Sequence, residues 1–163
     1  MAILRVFLLC AAALALAGCA SKFRTYDGPE VTRVLVYKED RRMFLMHGTE
    51  VLRGFDFELG FAPTGDKQVE GDGRTPEGDY IIDRRNPNSA YHLSIGISYP
   101  TEADVAEAEA LGMEPGGDIF IHGTPRRFLR QDDWTWGCIA VTNREIEDIY
   151  AMVRDGTPIT IYP

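Results

Sequence analysis

Val31-Thr32-Arg33-Val34-Leu35-Val36-Tyr37-Lys38 is rich in β-branched and aromatic residues. Side chains of this kind pack well on a pleated, half-buried surface, so the stretch predicts a β-strand. Working outward, a charged turn leads into Arg41 to Met46, and Gly48-Thr49 links that run to Glu50 to Gly60, where Leu52, Phe55, Phe57 and Leu59 supply apolar mass. The three segments predict a meander. Gly71-Asp72-Gly73 and Pro76-Glu77-Gly78 are turn chemistry. They are followed by a strand over Asp79 to Asp83, a polar loop over Arg84 to Ser89 and a strand over Tyr91 to Ser98. Further strands are expected over Asp118 to His122 and Thr157 to Tyr162, with a loop rich in Arg and Asp and the short apolar run Cys138 to Val141 between the helices. Two helices interrupt this β background. Thr101 with Asp104 caps Glu102 to Leu111, and Thr142 with Glu145 forms a capping box ahead of Ile146, Ile149, Tyr150 and Val153 at helical spacing. No repeat or low-complexity tract is present. The pattern predicts one mainly-β domain over residues 31–163 with two small peripheral helices.

The 163 residues carry 17 Lys plus Arg against 25 Asp plus Glu, a net charge of -8. Neutralising phosphates requires a basic face, so this balance argues against nucleic acid as a partner. Only three cysteines are present, at Cys10, Cys19 and Cys138, too few and too scattered for a zinc knuckle or a disulfide framework. Met1 to Gly18 holds one charge, Arg5, and an apolar run from Val6 to Ala17, which is the build of a secretory leader and shorter than a membrane-spanning helix. Leu16-Ala17-Gly18-Cys19 resembles a bacterial lipobox. That resemblance implies a lipoprotein signal peptide over 1–18, cleavage before Cys19, a lipid on its thiol and a polar tether over 19–30. Ala20 resembles outer-membrane sorting. The expected location is the periplasmic side of the envelope, attached to the membrane through the N-terminal lipid. Loss of Arg5 with the leader takes the net charge from -8 to -9.

Cys138 is then the only thiol left in the body of an exported protein, where an unpaired cysteine is a hazard unless buried or used. A cysteine acts as a nucleophile when an imidazole takes its proton and backbone N–H groups hold the oxyanion. Of the three histidines, His122 ends the apolar run Ile119-Phe120-Ile121, precedes Gly123, and stands 16 residues before Cys138. Gly137, directly before the thiol, permits a tight turn that leaves N–H groups near the sulfur. His47-Gly48 reads as a hairpin turn and His92 as a packed or surface residue. The three histidines lack the close pairing of a metal site, and Asp132-Asp133 reads as a solvated loop.

Ile119-Phe120-Ile121-His122-Gly123-Thr124 followed by Thr135-Trp136-Gly137-Cys138-Ile139 resembles the catalytic signature of the YkuD-type L,D-transpeptidases. Gly71-Asp72-Gly73-Arg74-Thr75-Pro76-Glu77-Gly78-Asp79-Tyr80, Ile97-Ser98-Tyr99-Pro100 and Gly156-Thr157-Pro158-Ile159 look like its YafK-like branch, so the resemblance spans roughly residues 31 to 163. It implies a mixed β-sandwich and a peptidoglycan L,D-transpeptidase. Cys138 would be the nucleophile, His122 the proton acceptor and donor, Gly123 the residue whose carbonyl orients the imidazole, and Gly137 and Cys138 the oxyanion donors. The partner implied is the peptidoglycan stem tetrapeptide, attacked at meso-diaminopimelate and passed to an amine for wall cross-linking or protein attachment, with neither metal nor organic cofactor.

Many family members carry His before the Gly-Cys pair and Arg two residues after the cysteine, where this chain has Trp136 and Ala140. Arg126, Arg127 and Arg130 are therefore candidates to hold a substrate carboxylate, with Thr135 and Trp136 as a wall for the peptide. A hydrolase of the same fold, trimming stem peptides or releasing wall-bound lipoprotein, is the alternative within enzymes. A non-catalytic peptidoglycan-binding lipoprotein is the alternative outside them. Papain-like wall peptidases place Cys before His, and sortase-like enzymes need an Arg soon after the cysteine; both fit less well.

Overall fold

The computed structural model describes residues 21–163, so the leader and Cys19 lie outside the described residues. Eight strands form one mixed sheet in the order β3-β2-β1-β8-β4-β5-β6-β7. They are β1 (Arg33–Tyr37), β2 (Arg42–His47), β3 (Glu50–Asp56), β4 (Gly78–Asn86), β5 (Ser94–Ile97), β6 (Phe120–His122), β7 (Ile139–Ala140) and β8 (Pro158–Tyr162). Two pairs, β1 with β8 and β6 with β7, run parallel and the rest antiparallel. Alternation decides which faces turn inward. In β8, Ile159 and Ile161 are buried while Pro158 and Tyr162 are exposed, and in β1, Val34 and Val36 are buried. These side chains meet Met43, Leu45, Phe55, Ile82, Ile95, Ile97, Ile121 and Ile139 in one core. Each fully buried aliphatic side chain contributes about 1.5–3 kcal/mol.

β4 reaches further than the sequence suggests. Its first residues pair with β8 and, past an irregularity between Ile82 and Arg84, its last residues pair with β5. Arg84 to Asn86, expected as loop, are thus strand. Their polar character suits a place where one face meets solvent, and Arg85 reaches the carbonyls of Tyr150 and Val153 at the end of the second helix. A cation there complements the negative end of the helix dipole. After β3 the chain crosses to the far edge, where Glu58 bridges Ala140 and Gly60 bridges Thr135. The curved sheet therefore closes on itself through a short seam against β7.

The helices are α1 (Glu102–Ala110) and α2 (Asn143–Met152). Both start with a complete capping box, Thr101/Asp104 and Thr142/Glu145. α1 buries only Ala108 and lies at the periphery, whereas α2 sets Ile146, Ile149 and Met152 against the core. Among the described residues no helix is long and apolar enough to cross a membrane. Residues 21–30, expected as a tether, are pinned to the domain. Lys22 Nζ donates to the carbonyls of Pro87 and His92 at 2.6 and 3.0 Å. Arg24 pairs with Glu147 and Asp148 of α2 at 2.7 and 2.5 Å, and Tyr26 packs against the core.

Candidate active site

β6 and β7 lie side by side in parallel, with His122 paired to Ala140. Cys138 stands two residues before Ala140, so alternation puts its side chain on the same face as that of His122. Both side chains line a cavity of about 300 Å³ whose walls include Asn86, Tyr91, Ser94, Asp118 and Phe120. Both also line a smaller one of about 150 Å³ formed with Phe128, Trp134, Thr135 and Trp136.

The imidazole of His122 is fixed on three sides. Nδ1 lies 2.8 Å from the Gly123 carbonyl oxygen, an acceptor only, so Nδ1 carries the proton of the neutral ring and Nε2 keeps its lone pair. The Tyr91 ring stacks on it at 4.4 Å between centroids, and Trp134 meets it edge-on at 5.6 Å. Burial pushes the His122 pKa below its ordinary value, with the Gly123 hydrogen bond acting in the opposite sense. Gly123 has no room for a side chain: a Cβ there would lie 2.4 Å from Asn143 Oδ1 and 2.8 Å from the Tyr91 carbonyl oxygen.

The turn that carries the thiol is stitched from both ends. Thr135 Oγ1 donates to the Cys138 carbonyl at 2.7 Å and accepts the Gly137 N–H at 3.2 Å. The Gly137 N–H, expected as an oxyanion donor, is thus engaged within the turn. The Cys138 N–H has no protein acceptor among the described residues. Gly137 sits at φ 113°, and its carbonyl accepts the Thr75 hydroxyl at 2.8 Å. Thr75 is fully buried and belongs to the Gly71–Gly78 stretch, which here is more than turn chemistry. Asp72 gathers that loop by accepting from the N–H groups of Gln68, Val69 and Arg74 and from buried Lys67. Burial raises the Asp72 pKa, but the Arg74 and Gln68 N–H groups and the Lys67 ammonium outweigh it and hold the carboxyl below its ordinary value. Lys38, also buried, binds the carbonyls of Gly65 and Thr75 and the Glu77 carboxylate. The signal for this buttress is the dense Asp-Gly-Arg-Thr-Pro-Glu-Gly spelling, whose long-range partner could not be read locally.

Cys138 is a free thiol, half-buried, with Sγ 3.5 Å from the Asp118 carbonyl oxygen. Burial pushes its pKa up, the Phe120 N–H works against that, Asp118 adds to it, and the charges of Lys67 and Arg84 oppose it. With Sγ turned to the Asp118 carbonyl, the thiol pKa raised and the imidazole pKa lowered, the expected resting form is a neutral pair rather than thiolate and imidazolium. The expected outcome is that thiolate absorbance at 240 nm is lacking at pH 6 and grows in only above the ordinary thiol range. Electrophile-labelling rates should fall as pH drops through the His122 pKa, below about 6.5. A thiolate plateau already present at pH 5 would refute the neutral pair.

Other expected residues fall elsewhere. Arg126 and Arg127 lie in a single 3-10 turn (Arg126–Phe128), and neither they nor Arg130 line the two cavities on Cys138. Trp136 is 72% exposed and meets Phe61 edge-on at 5.0 Å, lining the smaller cavity beside the thiol. His47 is exposed in the β2–β3 hairpin. His92 binds Glu147 at 2.8 Å on the surface. Asp133 is more than a solvated loop residue: it pairs with Arg41 and accepts the Leu59 N–H. Among the described residues no group of three or more His, Cys, Asp or Glu is placed to hold a metal ion.

Comparison with known proteins returns a match of residues 31–161 to the YkuD family model, described as an L,D-transpeptidase catalytic domain. The Escherichia coli (strain K12) protein YafK is 35% identical over 108 residues, which covers 61% of this chain and 39% of YafK. The crystal structure of the helical cell shape determining protein Pgp2 from Campylobacter jejuni superposes with a TM-score of 0.62 at 26% identity, covering 91% of this chain and 53% of Pgp2. An L,D-transpeptidase from Mycobacterium smegmatis shares the fold with a TM-score of 0.55 at 14% identity, over 82% of this chain and 59% of that one. The chain thus spans about two-fifths to three-fifths of the length of these relatives.

Proposed function

Because the chain belongs to the YkuD family of L,D-transpeptidase catalytic domains, we propose that it is a cysteine acyltransferase acting on peptidoglycan stem peptides. The observation that supports this most is the convergence of Cys138 and His122 on one cavity, with His122 Nδ1 committed to the Gly123 carbonyl and Nε2 free to take a proton. In this reading His122 Nε2 accepts the thiol proton as Sγ attacks the meso-diaminopimelate carbonyl of a tetrapeptide. The oxyanion forms against the Cys138 N–H, the donor that the turn leaves unengaged. The Sγ–C bond is made, the C–N bond to D-Ala breaks, and the proton leaves on the D-Ala amine. An incoming amine then attacks the thioester, gives its proton to His122, and sulfur recovers it as the new amide forms.

Hydrolysis uses the same steps with water in place of the amine. Ala140, buried where many family members carry Arg, favours keeping that second reading. Incubation with disaccharide tetrapeptide separates them by mass: a cross-linked dimer marks transfer, a tripeptide marks hydrolysis, and neither, with Cys138 reactive, would overturn both.

We also propose that Cys19 carries the lipid. Lys22 is held on the Pro87–His92 loop, and three residues reach at most about 10 Å, so a lipid there keeps the domain close to the membrane surface. Radiolabelled palmitate should enter the full chain and not Cys19→Ala.

A further inference from the structure

The face that carries His122 and Cys138 also carries two polar side chains the reaction scheme has not used. Cross-strand register places Asn86, Ser94 and His122 in one row, and Arg84, Gly96 and Phe120 in the row beside it. Residues two apart on a strand share a face, so both rows look toward the same side of the sheet. Gly96 lets Arg84 cross: the Arg84 side chain runs over the bare glycine, with its Cγ only 2.4 Å from where a Cβ would stand. Its guanidinium then lies over the Phe120 ring at 4.6 Å. Phe120 and Asp118 are walls of the larger cavity on Cys138.

Three observations give this corner a chemical preference. First, Arg84 is 38% exposed and its inner partner is weak: Nη2 reaches Asp118 Oδ1 at 3.4 Å, and that carboxylate is 91% exposed. Asp83 holds only the Nη1 end, at 2.8 Å. Second, Lys67, the other cation whose charge acts on the thiol, is buried against Asp72 and the Val69 carbonyl and cannot turn to a ligand. Third, Ser94 lines the cavity, and no hydrogen bond is made by its hydroxyl among the described residues, so the group is available at the cavity wall. A guanidinium with a displaceable partner, on the same face of the sheet as a hydroxyl at the cavity wall, matches a carboxylate, which accepts from both. In a chain of net charge -8 that preference has to be local.

We propose that Arg84 and Ser94 form the anchoring subsite for a carboxylate of the acyl donor, standing in for the Arg that Ala140 replaces. The subsite deepens the transpeptidase reading and rests on it only for the identity of the peptide. Arg84 takes the carboxylate from Asp118, and Ser94 donates to its second oxygen.

The test is made first without any peptide. Iodoacetate and iodoacetamide alkylate the same thiol and differ in one carrying a carboxylate. In the full chain, at fixed pH and ionic strength, the iodoacetate-to-iodoacetamide rate ratio at Cys138 should drop about tenfold in Arg84→Gln and less in Arg84→Lys. Ser94→Ala should lower the ratio about threefold. An unchanged ratio, or both rates falling together, would overturn the subsite, since the first means no carboxylate is held and the second means Arg84 acts on the thiol alone. Muropeptide arms then identify the group: tetrapeptides amidated at diaminopimelate or at D-Ala should each be compared with the free acid. The form whose turnover no longer depends on Arg84 carries the anchored carboxylate. A lowered alkylation ratio without turnover of any muropeptide would leave the subsite standing and overturn the transpeptidase reading instead.

Discussion

His122→Gln is expected to slow acylation of Cys138 by about 10³-fold at neutral pH, and Cys138→Ala to eliminate it. The magnitude follows from the resting state. The thiol is held protonated by burial, so attack requires a base at the moment of bond formation, a contribution of typically 10²–10⁴. Gln at 122 can still donate to the Gly123 carbonyl, which keeps the backbone contact and removes only the lone pair presented by Nε2. Carbapenem adduct formation followed by intact mass reads the rate directly. Raising the pH toward the thiol's own ionisation should shrink the deficit, because the sulfur then no longer needs the imidazole. A variant within threefold of the parent at pH 7 would remove His122 from the chemistry. An inert thiol in the parent chain, with retained binding to muropeptides, would point to the non-catalytic wall-binding alternative.

Gly137→Ala should cost about 10²-fold in the same assay even in molecules that fold. At φ 113° an L side chain is strained, and the added Cβ would stand 2.4 Å from the Arg74 carbonyl oxygen. Backbone against backbone leaves nothing flexible to yield, so the turn must shift and the thiol with it. Displacement of a reacting atom by about 1 Å is enough for such a loss. Thermal melting separates the two consequences: a lowered Tm with normal adduct kinetics at 15 °C would show that the turn matters for stability alone. Thr75→Val probes the same turn from its other side by leaving the buried Gly137 carbonyl unpaired, at about 1–3 kcal/mol.

Strand positions were largely legible because alternation is a local signal: Val34, Val36, Ile159 and Ile161 announce their inward face within five residues. His122 and Cys138 were legible for a different reason, as the thiol and imidazole whose neighbours, Gly123 and Gly137, are needed where backbones approach closely. What stayed hidden depends on contacts distant in the chain. Arg84 to Asn86 have no apolar alternation, and their strand is held by β5 and by the Arg85 contact with α2. Lys22 and Arg24 look like tether chemistry until Glu147, 123 residues beyond Arg24, is placed beside them. Thr75 and Gly137 are 62 residues apart. Arg126, Arg127 and Arg130 lie between His122 and Cys138 in the chain yet line neither cavity on the thiol, whereas cross-strand register sets Arg84 over Phe120, a wall of the larger one.

The seam between the chain after β3 and β7 has a kinetic consequence. Two isolated bridges, Glu58–Ala140 and Gly60–Thr135, close the seam on one side, and β7, two residues long, is held on the other by its short parallel pairing with β6. An element held by so few backbone bonds opens at a lower free energy than the core strands β1 and β8. Amide exchange along residues 135–141 should therefore be faster than in β1 and β8, and sub-denaturing urea should hasten thiol labelling before the far-UV circular dichroism changes. Cys138 sits directly before β7 in that seam, so its reactivity should register early loosening of this edge of the fold.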